Sequence, residues 1–311
     1  MFSEQPETFK KGTDMKNIRI GTMVRAGANS GNYIREIIPY GFECFALTYP
    51  SGSYQGVSPE EVAEKVMPEL EGKDIEISSI SVFGNPLMDT ELAEETRKCF
   101  RHAIETAHLF GTNLVTGFTG SLVGKKLPES IERFKEVWTP MTEFAASKGV
   151  RIAFENCNMG GNWNSTTYNM ALNPDAWELL FEAVPAENIG LEWEPCHQMC
   201  QFIDPMPQIG EWSKRIFHIH GKDLTFRKDI LAKHGNLGKV PFMWHRTPGF
   251  GDSNWADIIS ELRKYGYEGN IDIEGWHDPV YRGELEMTGQ VAGLNYLKRC
   301  RGDKFVPNPA E

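Results

Sequence analysis

The sequence predicts an α/β fold of (β/α)8 type, a single barrel in a single domain. Strand-like and helix-like segments alternate over nearly the whole chain, and eight of them are strand-like. The length of 311 residues suits one large barrel or two average domains, and no interdomain linker divides it. Four strand-like segments end in metal-ligand chemistry, at Glu155, Glu194, His220 and Glu274. Side chains at the ends of successive parallel strands converge only if the sheet curls into a barrel, whose active site lies at the C-terminal ends of its strands. A doubly wound sheet is the structural alternative. It would need a glycine-rich phosphate turn after the first strand, and Gly21-Thr22-Met23-Val24-Arg25-Ala26-Gly27 is not one.

The elements follow in order. The first strand is predicted over 18–23 and the second over 42–47. A helix over 58–70 opens Ser58-Pro59-Glu60-Glu61, an N-cap followed by a proline in the first turn. The third strand, 75–83, is rich in β-branched residues. A long helix over 90–110 ends at Gly111, a natural C-cap, and the fourth strand follows over 112–115. The helix over 128–148 ends at Gly149 before the fifth strand, 150–155. Asn173-Pro174-Asp175 opens a helix over 173–183; the sixth strand is 189–194 and the seventh 215–220. The segment 222–254 is long for one connection and contains several glycines, which predicts a lid or binding loop. A helix over 253–265, ending at Gly266, leads to the eighth strand, 270–274. Residues 1–16 are polar without an apolar signal core and are expected to be a disordered leader, Met15 being an alternative start, so that the barrel occupies 17–311.

Side chains alternate faces along a strand. Glu192 shares a face with Glu194, His218 with His220, Asp272 with Glu274, and Arg151 with Glu155, while Phe154, Leu191, Trp193, Ile271 and Ile273 take the other. The apolar set has to pack under the helices, which leaves an unusually polar interior. Buried carboxylates are costly unless paired or bound to a cation. Glu155, Glu194, His220 and Glu274 are therefore candidate ligands of one divalent metal ion, with a buried salt-bridge network as the competing reading. Three carboxylates and one imidazole favour Mn2+ or Mg2+, with Co2+ and Zn2+ as alternatives. One layer deeper, Glu192, Asp272 and Arg151 are expected to form such a network, Arg151 pairing with Glu192.

Around these ligands stand the candidate substrate-binding residues. His197, past Pro195, belongs on the loop lip, as a substrate or supporting contact or as a satisfied loop histidine. Lys222 either binds a substrate oxygen or pairs with Asp223. Arg246 in the long loop suits an anionic or hydroxylated group. His218 is a further candidate for substrate contact or proton transfer. Trp163 and Trp276, just beyond the metal strands, with Trp193, Trp244 and Phe83, suit an apolar wall.

The net charge of -11, without a basic run, argues against nucleic acid as a partner. No apolar run approaches the ~18 residues of a membrane span. The six cysteines read as free thiols in a reducing cytoplasm. Cys196 and Cys200, with His197 between them, suggest a zinc knuckle, but no second pair follows at zinc-finger spacing.

Taken together, Glu155, Glu194-Pro195-Cys196-His197, His220-Gly221-Lys222-Asp223, Pro248-Gly249-Phe250-Gly251 and Glu274 resemble the motifs of the xylose isomerase-like TIM barrels, the sugar phosphate isomerase/epimerase superfamily, from 18 to about 298. Glu194 departs from the aspartate usual in that family, and its longer side chain has either to retract or to shift the metal by about one methylene. The flanks 155–163 and 274–279 are similar to those of the catalytic subunits that cleave 3-keto C-glycosides. The resemblance implies enolisation, with the metal polarising a sugar carbonyl and stabilising an enediolate while Glu155 and Glu274 exchange a proton with carbon. One base serving neighbouring carbons gives isomerisation, two on opposite faces give epimerisation, and expulsion of a β-substituent gives lyase chemistry on a 3-keto-glycoside. The implied partner is a small-molecule sugar or glycoside, and a homo-oligomer or a small partner subunit stays open. The connection after the eighth strand is aromatic and not a glycine nest, so a non-phosphorylated sugar stacked on Trp276 or Trp163 is expected. A DNA-repair endonuclease of the same barrel is disfavoured by the negative charge, and a non-catalytic sugar-binding or partner subunit by the full ligand set.

Overall fold

Eight parallel strands close into a barrel in the computed structural model, which describes residues 17–306 and 309. The expected leader, 1–16, lies outside the described residues. The barrel strands are β1 (Arg19–Arg25), β2 (Cys44–Tyr49), β3 (Glu76–Val82), β4 (Leu114–Gly117), β5 (Arg151–Glu155), β6 (Ile189–Trp193), β7 (Ile216–Gly221) and, after an excursion, β10 (Asn270–Ile273). The ring runs β1-β10-β7-β6-β5-β4-β3-β2. The excursion holds the antiparallel hairpin β8 (Asp223–Phe226) and β9 (Met243–Arg246), with α8 (Lys228–His234) between its strands. The segment 222–254, expected to be a lid or binding loop, is thus folded as a hairpin with a helix.

Helices α1 (Ser30–Ile37), α2 (Pro59–Leu70), α3 (Glu91–Thr106), α4 (Ile131–Ser147), α5 (Pro174–Ala183), α6 (Pro195–Met199), α7 (Met206–Glu211), α9 (Trp255–Lys264) and α10 (Glu286–Cys300) follow the barrel strands. Ser58 caps α2 with a full capping box against Glu61, and Thr90 and Asn173 cap α3 and α5. The predicted helix 90–110 is α3 continued by a single 3-10 turn, with Gly111 left-handed after it. The second and fourth strands differ most from their predictions, each starting and ending two residues later; β4 ends late because Thr116 and Gly117 still pair with β5.

The parity argument holds. Phe154, Leu191, Trp193, Ile219 and Ile273 face outward and are buried with Trp138, Trp177 and Trp255 under the helices. Inside, Thr22, Ser79, Ser81, Thr116, Glu192 and Asp272 are buried polar residues. Gly21 on β1 pairs with Asp272 on β10, and a Cβ there would fall 2.3 Å from Asp272 Oδ1 and 2.1 Å from the Cys44 carbonyl oxygen. Only glycine lets that carboxylate enter the barrel. Among the described residues no helix is long and apolar enough to cross a membrane.

Candidate active site

The polar parity set meets at the C-terminal mouth. Glu155 ends β5, Glu194 follows β6 as the N-cap residue of α6, His220 lies on β7, and Glu274 follows β10. One ligand atom from each of the four lies within 4.8 Å of the others, and all four residues are buried. Nδ1 of His220 faces the three carboxylates, 3.4 Å from Glu194, 3.7 Å from Glu274 and 3.9 Å from Glu155. Asn156 holds two of these elements together. Its side-chain carbonyl accepts from the Glu194 N–H at 2.9 Å, and its amide donates to the Glu194 carbonyl at 3.1 Å.

Partners inside the cluster are too few. Lys222, fully buried, sits 3.0 Å from Glu274 and 3.2 Å from Glu194. Both carboxylate oxygens of Glu194, both ring nitrogens of His220 and Nε2 of His197 make no hydrogen bond. The contacts that reach them are short but misaligned. Burial alone would raise the Glu274 carboxyl, yet the Lys222 ammonium and the His277 ring hold it well below the ordinary range. Burial pushes Glu155 well above that range; the His220 imidazolium opposes this, and the carboxylates of Glu274 and Glu194 add to it. Against the cost of burial, the surrounding carboxylates, Glu192 first, raise His220 well above its ordinary value.

The remaining sequence candidates are placed as follows. His197 is buried with Nε2 3.1 Å from Glu194 and 3.8 Å from Glu155, and burial pushes its ring down to about 3, so it is neutral. Lys222 pairs with Glu194 and Glu274, not with Asp223. Asp223 instead accepts the N–H groups of Leu224, Gly249, Gly251 and Ser253, so the loop carrying Pro248 to Gly251 wraps round it. His218 faces the layer below. Its Nδ1 is 2.8 Å from Glu192 and its Nε2 2.7 Å from Asp272, which leaves no ring nitrogen for a substrate. Arg246, on β9, is likewise engaged. Its Nε donates to Asp278 at 3.0 Å and its guanidinium to Thr225 at 3.3 Å, with the side chain 13% exposed. Arg151 does not pair with Glu192; it stacks over Phe217 at 4.7 Å, and His218 takes its place in the lower network.

Trp276 is 42% exposed and lines a cavity of about 910 Å³ with Met23, Arg25, Tyr33, Tyr54 and Met287, beside the mouth. Trp163 is half-buried and packs against the core, and Trp193 is fully buried on the outer face, its indole N–H donating to Gln208 at 2.9 Å. Phe83 meets His220 edge-on at 6.4 Å between ring centres. His277 was not assigned from the sequence; its Nε2 lies 2.8 Å from Glu274. Its spacing of three from a strand-end glutamate was the available signal. A second cavity, about 790 Å³, opens at the opposite, N-terminal mouth and reaches up to His218.

A family model described as a xylose isomerase-like TIM barrel matches residues 34–300. Over 232 residues, 66% of this chain and 72% of the relative, the sequence is 25% identical to the uncharacterized protein YfiH of Bacillus subtilis (strain 168). Over 269 residues, 81% of this chain and 86% of the relative, it is 22% identical to the inosose dehydratase of Clostridium perfringens. The solved structure of 3-keto-D-glucoside 4-epimerase from E. coli has the same fold, with a TM-score of 0.66 at 14% identity, over 91% of this chain and 100% of that one.

Proposed function

The chain belongs to the xylose isomerase-like TIM-barrel family, and from that premise we propose that it is a divalent-metal-dependent sugar isomerase or epimerase. It moves a proton at a carbon next to a carbonyl, through an enediolate, on a non-phosphorylated sugar or glycoside. The observation that carries this reading is the buried set Glu155, Glu194, His220 and Glu274 with its unsatisfied oxygens and nitrogens. Orphaned polar atoms at that depth are costly. A 2+ ion fits them, and the oxygen-rich donor set favours Mn2+ or Mg2+. When bound, the ion supplies Lewis-acid polarisation of the carbonyl and balances charge developing on its oxygen.

The chain's own residues do the rest. Glu155 and Glu274 stand three places apart in the eight-membered ring of strands, so they approach a bound sugar from different sides. Lys222 keeps Glu274 ionised, ready to accept a proton. Glu155, which gives up its proton when the ion binds, is the second proton carrier on the other side of the sugar. The neutral His197 beside Glu194 offers a substrate hydroxyl a hydrogen-bond partner, and Trp276 offers an apolar face to a ring.

A second reading, a lyase or deglycosidase of 3-keto-glycosides, uses the same residues and differs only in the fate of the enolate. The cavity beside Trp276 supports it, because it leaves room for a leaving group larger than water. So does the likeness to a dehydratase and to an epimerase of a keto-glucoside. The free cysteines among the described residues support a cytoplasmic setting. Incubating Mn2+-loaded protein with free ketoses and with 3-keto-glycosides in D2O tests the proposal. Deuterium entering a carbon next to the carbonyl supports proton transfer, and release of an aglycone selects the lyase. Absence of exchange and of turnover across both panels would refute both readings.

A further inference from the structure

The β8–β9 hairpin meets the barrel side through sulfur. Cys196 lies in α6 and Cys200 is its C-cap residue, four positions on, so both thiols project from one face. His245 comes down on them from β9. Cys196 Sγ lies 3.6 Å from Nδ1 of His245, and Cys200 Sγ lies 3.8 Å from Nε2. One donor atom from each of the three lies within 4.8 Å of the other two. The knuckle suggested by the sequence pairs these thiols with His197. In the fold His197 turns to Glu194, and the imidazole arrives from His245 on the hairpin.

We propose that Cys196, Cys200 and His245 form a second metal site that takes a thiophilic divalent cation such as Zn2+ and fastens the β8–β9 hairpin to α6. One ion takes one nitrogen of the ring. The Cys196 Sγ–Nδ1 separation of 3.6 Å is close to the edge of about 3.5 Å set by Zn–S and Zn–N bonds of about 2.3 and 2.0 Å. The three donors lie within 4.8 Å of one another, so a small turn of the Cys200 side chain closes the set. The charge also balances, since two thiolates and a neutral imidazole cancel a 2+ ion. Both thiol protons leave to solvent on binding. No fourth protein ligand completes the group among the described residues, and Cys200 and His245 are half-buried, so the fourth position falls to water. Softness separates the two sites. The three-carboxylate set prefers a hard ion and the thiol set a soft one. This inference does not depend on the reaction proposed above.

The test is a titration of the full-length, chelator-stripped and phosphine-reduced chain with Cd2+, following thiolate-to-metal charge-transfer absorption in the ultraviolet. The band is expected to saturate at about one equivalent, and Mn2+ should not produce it. Cys200→Ser and His245→Gln should each weaken the Cd2+ titration at least about tenfold, while Mn2+ binding followed by electron paramagnetic resonance stays unchanged. Circular dichroism checks that each variant is folded, and the wild-type titration stands if one is not. No thiolate band in the wild type, or a band that survives either substitution at full strength and affinity, overturns the site.

Discussion

Glu155 and His220 hold protons that the proposed divalent ion would have to displace. Both have values raised in the folded protein, so both are protonated over a range in which an isolated carboxylate or imidazole is not. The sign follows directly: lowering the pH through the raised value of His220 strengthens proton competition, so ion affinity rises with pH. Calorimetry of Mn2+ binding in buffers of different ionisation enthalpy should show release of about one to two protons per ion near neutrality. Release of none would show that these groups do not ligate. Replacing either carboxylate, as Glu155→Gln or Glu274→Gln, removes a proton carrier and should lower turnover by about 10² to 10⁴. Persistent solvent exchange in both variants would move the proton to another residue. His218 belongs to a different class. His218→Leu strips the buried carboxylates of Glu192 and Asp272 of their partner and should cost about 3–5 kcal/mol of stability by urea denaturation. A loss of substrate affinity at unchanged stability would contradict that placement.

Strand parity made the site legible. On β5, β6, β7 and β10 a polar and an apolar residue alternate, and the polar positions are those that converge at the mouth. Pairings that cross the chain were not legible. Arg246 and Asp278 are 32 residues apart, and nothing local distinguishes an arginine that ties the hairpin to the loop after β10 from a substrate arginine. Asn156 carries no signal until β5 and β6 are side by side. Helices α1 and α10 were missed because Gly31, Gly289 and Gly293 weaken their helical character, and burial of Ile34, Ile37, Leu294 and Leu297 forms them instead. The β4 end was misplaced because Gly117 reads as a breaker although it continues the ladder. The same close packing yields a test on β1. Gly21→Ala places a methyl against Asp272 and the Cys44 carbonyl, and should destabilise by about 1–3 kcal/mol or more, read as a lower urea midpoint. An unchanged midpoint would mean that β1 and β10 do not pair in this register.

At the scale of the molecule, a chain of net charge -11 concentrates three carboxylates at one mouth and balances them with one lysine, one histidine and, on this account, one ion. The loop after β10 spends its buried carboxylate, Asp278, on Arg246 and on the N–H groups of Thr247, Val280 and Tyr281, so it offers no cradle for a phosphate. A sugar should therefore be turned over at least as efficiently as its phosphate. A hundredfold preference for the phosphate, about 2.7 kcal/mol of extra transition-state binding, would contradict this. The central claim is that Glu155, Glu194, His220 and Glu274 jointly hold one divalent ion. Anomalous diffraction at the manganese edge, from crystals grown with Mn2+, tests it most directly. The account predicts one peak, about 2.0–2.4 Å from a carboxylate oxygen of each glutamate and from Nδ1 of His220. A map without that peak, in which Lys222 alone bridges the carboxylates, would contradict it.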